Sequence, residues 1–123
     1  VRLLVDTHVL LWWLADSPKL TQAHRVLIQD PDNEALVSAV AVAEVAIKAS
    51  LGKLDAPALT EQVLLDEGFA PLPFDTRHAA ALRELPWHHR DPFDRMMVAQ
   101  CLVEQVPLLT VDERIREYGI DTR

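Results

Sequence analysis

Apolar and polar positions divide this chain into short runs of two kinds. "RLLV" (2–5) is a brief apolar run that stops at Asp6, and "EALVS" (34–38) and "VPLLTV" (106–111) have the same form. Continuous apolar runs of this length predict buried strands. Between them lie segments of helical length. "THVLLWWLAD" (7–16) runs without a breaker, and "SPKLTQAHRVLIQD" (17–30) opens on Ser17 and Pro18, an N-cap and first-turn pair that predicts a helix start there. "AVAVAEVAIKASLG" (39–52) is Ala-rich and ends in Gly52, a natural helix terminator. "ALTEQVLLDEG" (58–68) predicts another helix, "FAPLPF" (69–74) a short extended piece, and "DTRHAAALREL" (75–85) a helix capped by Asp75. "PWHHR" (86–90) reads as loop and "DPFDRMMVAQCLVEQ" (91–105) as the longest helix. Buried strands alternating with helices predict an α/β fold. It is a single domain over residues 1–123, with a mostly parallel central sheet between helices on both faces (an α/β/α sandwich) and right-handed crossovers.

Composition supports one folded unit. The chain has 123 residues, half of them apolar and three of them glycine, enough for a core without disulfide or metal staples. No repeat or Gly/Ser-rich linker divides it. The longest apolar runs, "VLLWWLA" and "SAVAVAEVAI", are too short or too interrupted to span a bilayer. The lone Cys101 cannot form an internal disulfide, and its apolar neighbours make it an inert core thiol. With no secretory signal ahead of "RLLVD", the expected location is cytoplasmic. The formal charge is −7, with 19 acids against 12 bases, which favours solubility and disfavours non-specific nucleic-acid binding. A nucleic-acid role therefore needs a local basic patch, or cations that reverse the local field.

The acids decide which chemistry is available. In a parallel sheet, ligand sites form outside the carboxyl ends of the strands. Asp6 ends the first strand, Asp112 follows the last, Glu44 lies on the helix leaving the second strand, and Asp94 lies in the first turn of the longest helix. One rim can therefore collect all four. Each also has a structural reading. Asp6 and Asp112 could cap the elements that follow them, and Asp91 is an apt N-cap before Pro92 with Asp94 in a capping-box position. Glu44 and Lys48 have ordinary i,i+4 spacing. Yet Glu44 is the only acid in "SAVAVAEVAIKA", where an isolated carboxylate is costly without a cation or strong donors. Clustered carboxylate oxygens favour Mg²⁺ or Mn²⁺ over Zn²⁺.

The motifs "LLVDTHVLLW", "SAVAVAEVAIK", "HRDPFDRMMVAQ" and "LLTVDERI", in this order, resemble the PIN domain, specifically the VapC-type toxin ribonucleases of bacterial and archaeal type II toxin–antitoxin systems. The resemblance covers nearly the whole chain. It implies an endoribonuclease that hydrolyses RNA phosphodiester bonds with Mg²⁺ (Mn²⁺ as an alternative). Asp6 and Asp94 would be the principal metal ligands, Glu44 and Asp112 would complete the catalytic cluster, and Asp91 would be helix cap first and metal helper second. It also implies a cognate antitoxin as partner, and a homodimer. Thr7 and Thr110 would bond metal waters or cap helices.

Substrate contact is expected from the locally basic stretch: Arg77, Arg83, His88, His89, Arg90 and Arg95. Trp87 would stack on a base or, as preferred here, pack under its loop. The adjacent histidines have no third soft ligand nearby in sequence. Trp12 and Trp13 project about a hundred degrees apart on one helix, so either both are core or one marks a partner surface. Two other readings compete with the nuclease. One is a catalytically silent PIN-fold module that only holds RNA or protein. The other is a Mg²⁺-dependent phosphatase with an Asp nucleophile, disfavoured because position 8 is His where such sites carry a second Asp.

Overall fold

The computed structural model describes residues 1–123. In chain order the elements are β1 (Arg2–Val5), α1 (Thr7–Leu14), α2 (Gln22–Gln29), β2 (Glu34–Ser38), α3 (Ala39–Ser50) and α4 (Glu61–Asp66). They continue with β3 (Ala70–Leu72), α5 (Thr76–Ala81), a 3₁₀ turn at Leu82–Glu84, α6 (Pro92–Glu104), β4 (Leu108–Leu109) and a 3₁₀ turn at Ile115–Tyr118. The sheet order is β3-β2-β1-β4 and every pairing is parallel. The expected α/β fold with helices flanking a parallel sheet is the observed one, with "FAPLPF" supplying an edge strand. No helix is long and apolar enough to cross a membrane.

The strand order carries the functional consequence. β1 has β2 on one side and β4 on the other, so the chain reverses direction of travel across the sheet at β1. Such a switch point leaves a crevice at the strands' carboxyl ends. The pairing of Val5 with Leu109 sets Asp6 level with Thr110 at that crevice. The strands reach it through a dry interior: Leu3, Leu4, Val5, Leu108 and Leu109 are all fully buried. At the second strand's exit, Ser38 caps α3 by accepting from the Val40 amide. The same hydroxyl donates to the buried Gln100 on α6, whose amide group reaches the Pro73 carbonyl beyond β3. One polar relay thus fixes α6 across the sheet, with its buried groups satisfied.

Several boundaries differ from the sequence reading. α2 begins at Gln22 under a Thr21 cap, whereas Ser17 and Pro18 form a turn in which Ser17 accepts from the Lys19 amide. Buried Leu20 explains this: the segment dips into the core before the helix starts. α4 begins at Glu61 under a Thr60 cap, because buried Leu59 is part of an extended approach to it. In "VPLLTV" only Leu108–Leu109 pairs as strand. Its outer side is covered by the C-terminal residues, where Leu108 donates to the Asp121 carbonyl and accepts from the Arg123 amide, both at 2.9 Å. Trp12 and Trp13 are both partly buried against the core, with Trp13 edge-on to Phe69 and its indole N–H donating to Glu67 at 3.3 Å.

Cys101 lies on the buried face of α6, and burial, followed by the charge of Asp6, pushes its thiol up to about 12. A thiolate is the reactive form. The folded chain is therefore expected to resist an aromatic disulfide reagent at neutral pH and to release one equivalent of thiol in denaturant; rapid labelling of the native protein would contradict this placement.

Candidate active site

Asp6 leaves β1 and caps α1, its Oδ1 accepting from the Thr7 amide at 2.7 Å. Its Oδ2 accepts from the Thr110 hydroxyl, also at 2.7 Å, across the gap between β1 and β4. The capping role and a place in the acidic cluster therefore coexist in one side chain. Asp6 is only 4 % exposed. Burial raises its carboxyl above the usual range against the pull of the Thr110 and Thr7 hydrogen bonds, and the nearby Glu44 adds to the rise.

Glu44 projects from the buried side of α3 and is equally inaccessible, at 4 %. The Thr7 hydroxyl donates to its Oε1 at 2.8 Å, and Lys48 Nζ reaches its Oε2 at 2.6 Å. Thr7 so ties two acids together, one by its amide and one by its hydroxyl. The Lys48 amine is raised first by the Glu44 hydrogen bond, then, against a burial effect, by the charges of Glu44, Asp91 and Asp94. Its charge is thus within electrostatic reach of Asp91 and Asp94 as well as of Glu44.

Asp94 lies in the first turn of α6. Asp91 caps that helix, its Oδ1 accepting from the Phe93 and Asp94 amides at 2.9 and 3.0 Å, with Pro92 just inside. Asp94 Oδ2 is 2.8 Å from His89 Nε2, while the Asp91 amide donates to His89 Nδ1 at 3.4 Å. That pairing puts the imidazole proton on Nε2, donating to Asp94. Burial, then the charges of Asp6 and Asp91, push Asp94 up to about 6 even with His89 opposing. Asp112 donates its amide to the Thr110 hydroxyl at 3.0 Å, and its Oδ2 lies 3.9 Å from His89 Nε2. Burial would raise the Asp112 carboxyl, but Arg114, bonding through its amide and guanidinium, holds it below the usual range.

Glu44, Thr7, Asp6, Thr110, Asp112, His89 and Asp94 thus form one continuous chain of polar contacts around the rim. All four candidate acids lie on this rim: Asp94 and Asp112 gather around His89, Asp6 and Glu44 join them through Thr110 and Thr7, and Asp91 stands beside them as the α6 cap. His89, Asp94 and Asp112 offer ligand atoms that all lie within 4.8 Å of one another. The carboxylate oxygens are a donor set suited to a hard divalent cation, and His89, bonded to Asp94, orients one of them. Burial first, and then repulsion from Asp6 and Asp91, raises Asp94, and the repulsive part is the charge excess such a cation would relieve.

The basic candidates separate. His88, Arg90 and Arg83 are exposed on or near the loop between α5 and α6. His89 is buried and turned to the acids. Arg95 is corrected from surface contact to internal brace. It is 4 % exposed, and its guanidinium donates to the Pro86 carbonyl at 2.7 Å, the Tyr118 hydroxyl at 3.0 Å and the Leu85 carbonyl at 3.2 Å. Arg77 pairs with Asp75 at 2.9 Å and approaches Glu104 at 3.7 Å, at the far end of α6. That is roughly 15 Å along the helix from Asp94. Trp87 does not pack under its loop; it is 75 % exposed, with the Arg95 guanidinium 3.7 Å from its ring centroid. The sequence reading missed His89 as the partner of Asp94, since five positions across a loop and a helix start carry no periodic signal. It read Lys48 only as a surface pair.

A parallel α/β domain with a carboxylate-lined rim at its switch point is the class of protein these observations define. The chain belongs to the PIN-domain family: the family model described as PIN domain matches residues 3–121. PIN domains are generally nucleases that use divalent metal. Among solved structures it is similar to VapBC2 from Rickettsia felis bound to a DNA fragment from their promoter, with TM-score 0.73 and 13 % identity over 100 % of this chain and 98 % of that one. It is also similar to VapBC-1 from nontypeable Haemophilus influenzae, with TM-score 0.68 and 18 % identity over 100 % and 97 % of the two chains. A third likeness is to FitAcB from Neisseria gonorrhoeae, with TM-score 0.65 and 17 % identity over 99 % and 96 %. No curated protein matches the sequence significantly.

Two outcomes follow from the site. Removing the Arg95 guanidinium leaves its buried acceptors without donors, so Arg95→Ala is expected to lower unfolding stability by about 2–3 kcal/mol in a urea titration; an unchanged midpoint would return Arg95 to the surface. Asp94 binds its proton more tightly in the folded chain than in the unfolded one, where the value is about 4. Its cost to stability is therefore present at neutral pH and is relieved as pH falls through about 6. In metal-free protein, Asp94→Asn is expected to raise the thermal midpoint at pH 7 and to narrow its gap to wild type by pH 5; the reverse order of midpoints would show that the charge is already compensated.

Proposed function

We propose that this protein is a divalent-metal-dependent endoribonuclease of the VapC toxin type, restrained by a cognate antitoxin. The observation that carries the reading is the convergence of Asp6, Glu44, Asp94 and Asp112 on one rim although they are spread from the first strand to the last. Asp6 and Asp94 are the principal ligands in this proposal, Glu44 and Asp112 complete the set, and Mg²⁺ is the expected ion, with Mn²⁺ the alternative for the same oxygen-rich set. A cation bound there supplies neutralisation of phosphate charge and a lowered pKa for the attacking water.

The chain's own groups do the rest. Thr7 and Thr110 hold the Asp6 and Glu44 carboxylates in fixed orientations, and His89 holds Asp94. Exposed His88 and Arg90 flank this rim and suit the phosphate backbone of RNA. Lys48 holds Glu44. Fixed donors and carboxylates of this kind need no rearrangement as charge develops.

The antitoxin reading draws on the toxin–antitoxin complexes among the similar structures and on two adjoining apolar hollows of about 350 and 370 Å³. Val42 and Leu59 line both. This surface suits an apolar segment of an antitoxin, and self-association into a homodimer is the other expected assembly. The proposed site of action is the cytoplasm.

Cleavage of an end-labelled RNA by the purified chain tests the assignment. Mg²⁺ should support cutting and a chelator should abolish it. Asp6→Asn and Asp94→Asn should each lower the rate about 100-fold or more, since a misplaced cation forfeits several kcal/mol of stabilisation. Undiminished cutting by Asp94→Asn would refute the assignment. A silent RNA-holding module is the second reading, favoured by Lys48 and Arg114 already compensating Glu44 and Asp112; it expects RNA to be retained uncut at every Mg²⁺ concentration.

A further inference from the structure

Trp87 is a large aromatic ring left in water beside the acidic rim, with 75 % of its surface open. It is not loose. One face of the indole lies on the Arg95 guanidinium, 3.7 Å from the ring centroid. Arg95 is itself buried and clamped by two backbone carbonyls and the Tyr118 hydroxyl. Tyr118 in turn donates to the His89 carbonyl at 3.2 Å. The ring is therefore backed by an immobilised cation and tied to the loop that carries His89. A hollow of about 210 Å³ opens beside it, bounded by Leu82, Arg90, Pro92 and Met96 as well as the Trp87–Arg95 pair.

Position and charge limit what this surface suits. Trp87 stands two residues before His89, so their Cα atoms are at most about 7 Å apart, and His89 bonds Asp94. Arg83, His88 and Arg90 are all exposed around it, while Leu82, Pro92 and Met96 give the adjoining hollow an apolar wall against which a base can also rest. An aromatic face bordered by cations matches the two halves of a nucleotide, a flat base and an anionic phosphate. A base inside a duplex has both faces stacked already, so the match is to an unpaired one.

We propose that Trp87, braced from behind by Arg95, stacks on an unpaired RNA base near the cleaved bond and confers preference for single-stranded segments. This deepens the ribonuclease reading and rests on it. Stacking is tolerant of base identity, because every base has a π-face. A pre-positioned ring loses little freedom when a base arrives.

The test measures binding of a fluorescent single-stranded RNA, with a duplex as control, to Asp94→Asn protein with Mg²⁺, so that the probe stays intact. In that background Trp87→Ala should weaken single-strand binding about tenfold or more, Trp87→Phe should retain most of it, and duplex binding should move little. In the cleaving protein, Trp87→Ala should raise KM more than it lowers kcat. Single-strand affinity and KM unchanged in Trp87→Ala would overturn the inference while leaving the nuclease reading intact. So would unchanged RNA affinity accompanied by a lower sedimentation mass, which would make Trp87 a protein contact. If the wild-type chain neither binds nor cuts RNA with Mg²⁺, the ribonuclease reading itself fails and this inference falls with it.

Discussion

The constraint on which this molecule depends is the gathering of like charges at the dry end of a sheet. Asp6 follows three fully buried residues and meets Glu44 through Thr7 and Asp112 through Thr110. Carboxylates withdrawn from water repel and bind protons, which is the behaviour of Asp6 and Asp94. A core that sought only stability would not assemble them. The interior of β1, β4 and α6 tolerates the arrangement because an extensive apolar core surrounds it and Ser38 and Gln100, buried nearby, are matched to each other. The cluster is the part of the fold whose local energetics point away from stability and towards cation capture.

α6 shows how one helix serves several ends. Its first turn joins a cap, Asp91, to an acid of the rim, Asp94, and to a buried brace, Arg95. Farther along, Gln100 locks the helix to β2 and β3, and Cys101 fills the core. Near its end Glu104 meets Arg77 and approaches the buried His78. Successive residues turn by about a hundred degrees, so neighbours in sequence take unrelated duties. That is why Arg95, adjacent to an acid and drawn from a basic stretch, faces backbone carbonyls and leaves the rim to Asp94. The same brace then sets Trp87 outward, coupling internal packing to a contact surface.

Hydrophobic grouping made the strands, their parallel arrangement and most helices legible, since apolar runs of strand length need cover on both faces. The caps Asp75 and Asp91 were readable because capping is local chemistry. The start of α2 was not. Ser17 and Pro18 satisfy every local rule for a helix N-terminus, but burying Leu20 required a turn, and Thr21 became the cap. The acids could be named as candidates because each stands at a strand's end or on the helix that follows. The Glu44–Lys48 pair, one turn apart on α3, was legible from its spacing, whereas Thr7 and Thr110 could be named only as neighbours, since what they bond depends on which helix or strand lies across the crevice.

By itself, then, the sequence determined which segments would be buried, which would be helical, and which carboxylates stood at strand exits, because those follow from spacing along the chain. Tertiary structure alone decided that His89 turns inward to Asp94, that Arg95 is entombed, that Arg77 lies at the other end of α6, and that Trp87 faces water. Each of these depends on a partner far away in the sequence or across a loop. Such partners are fixed by strand order and helix packing, and no local pattern of residues encodes them.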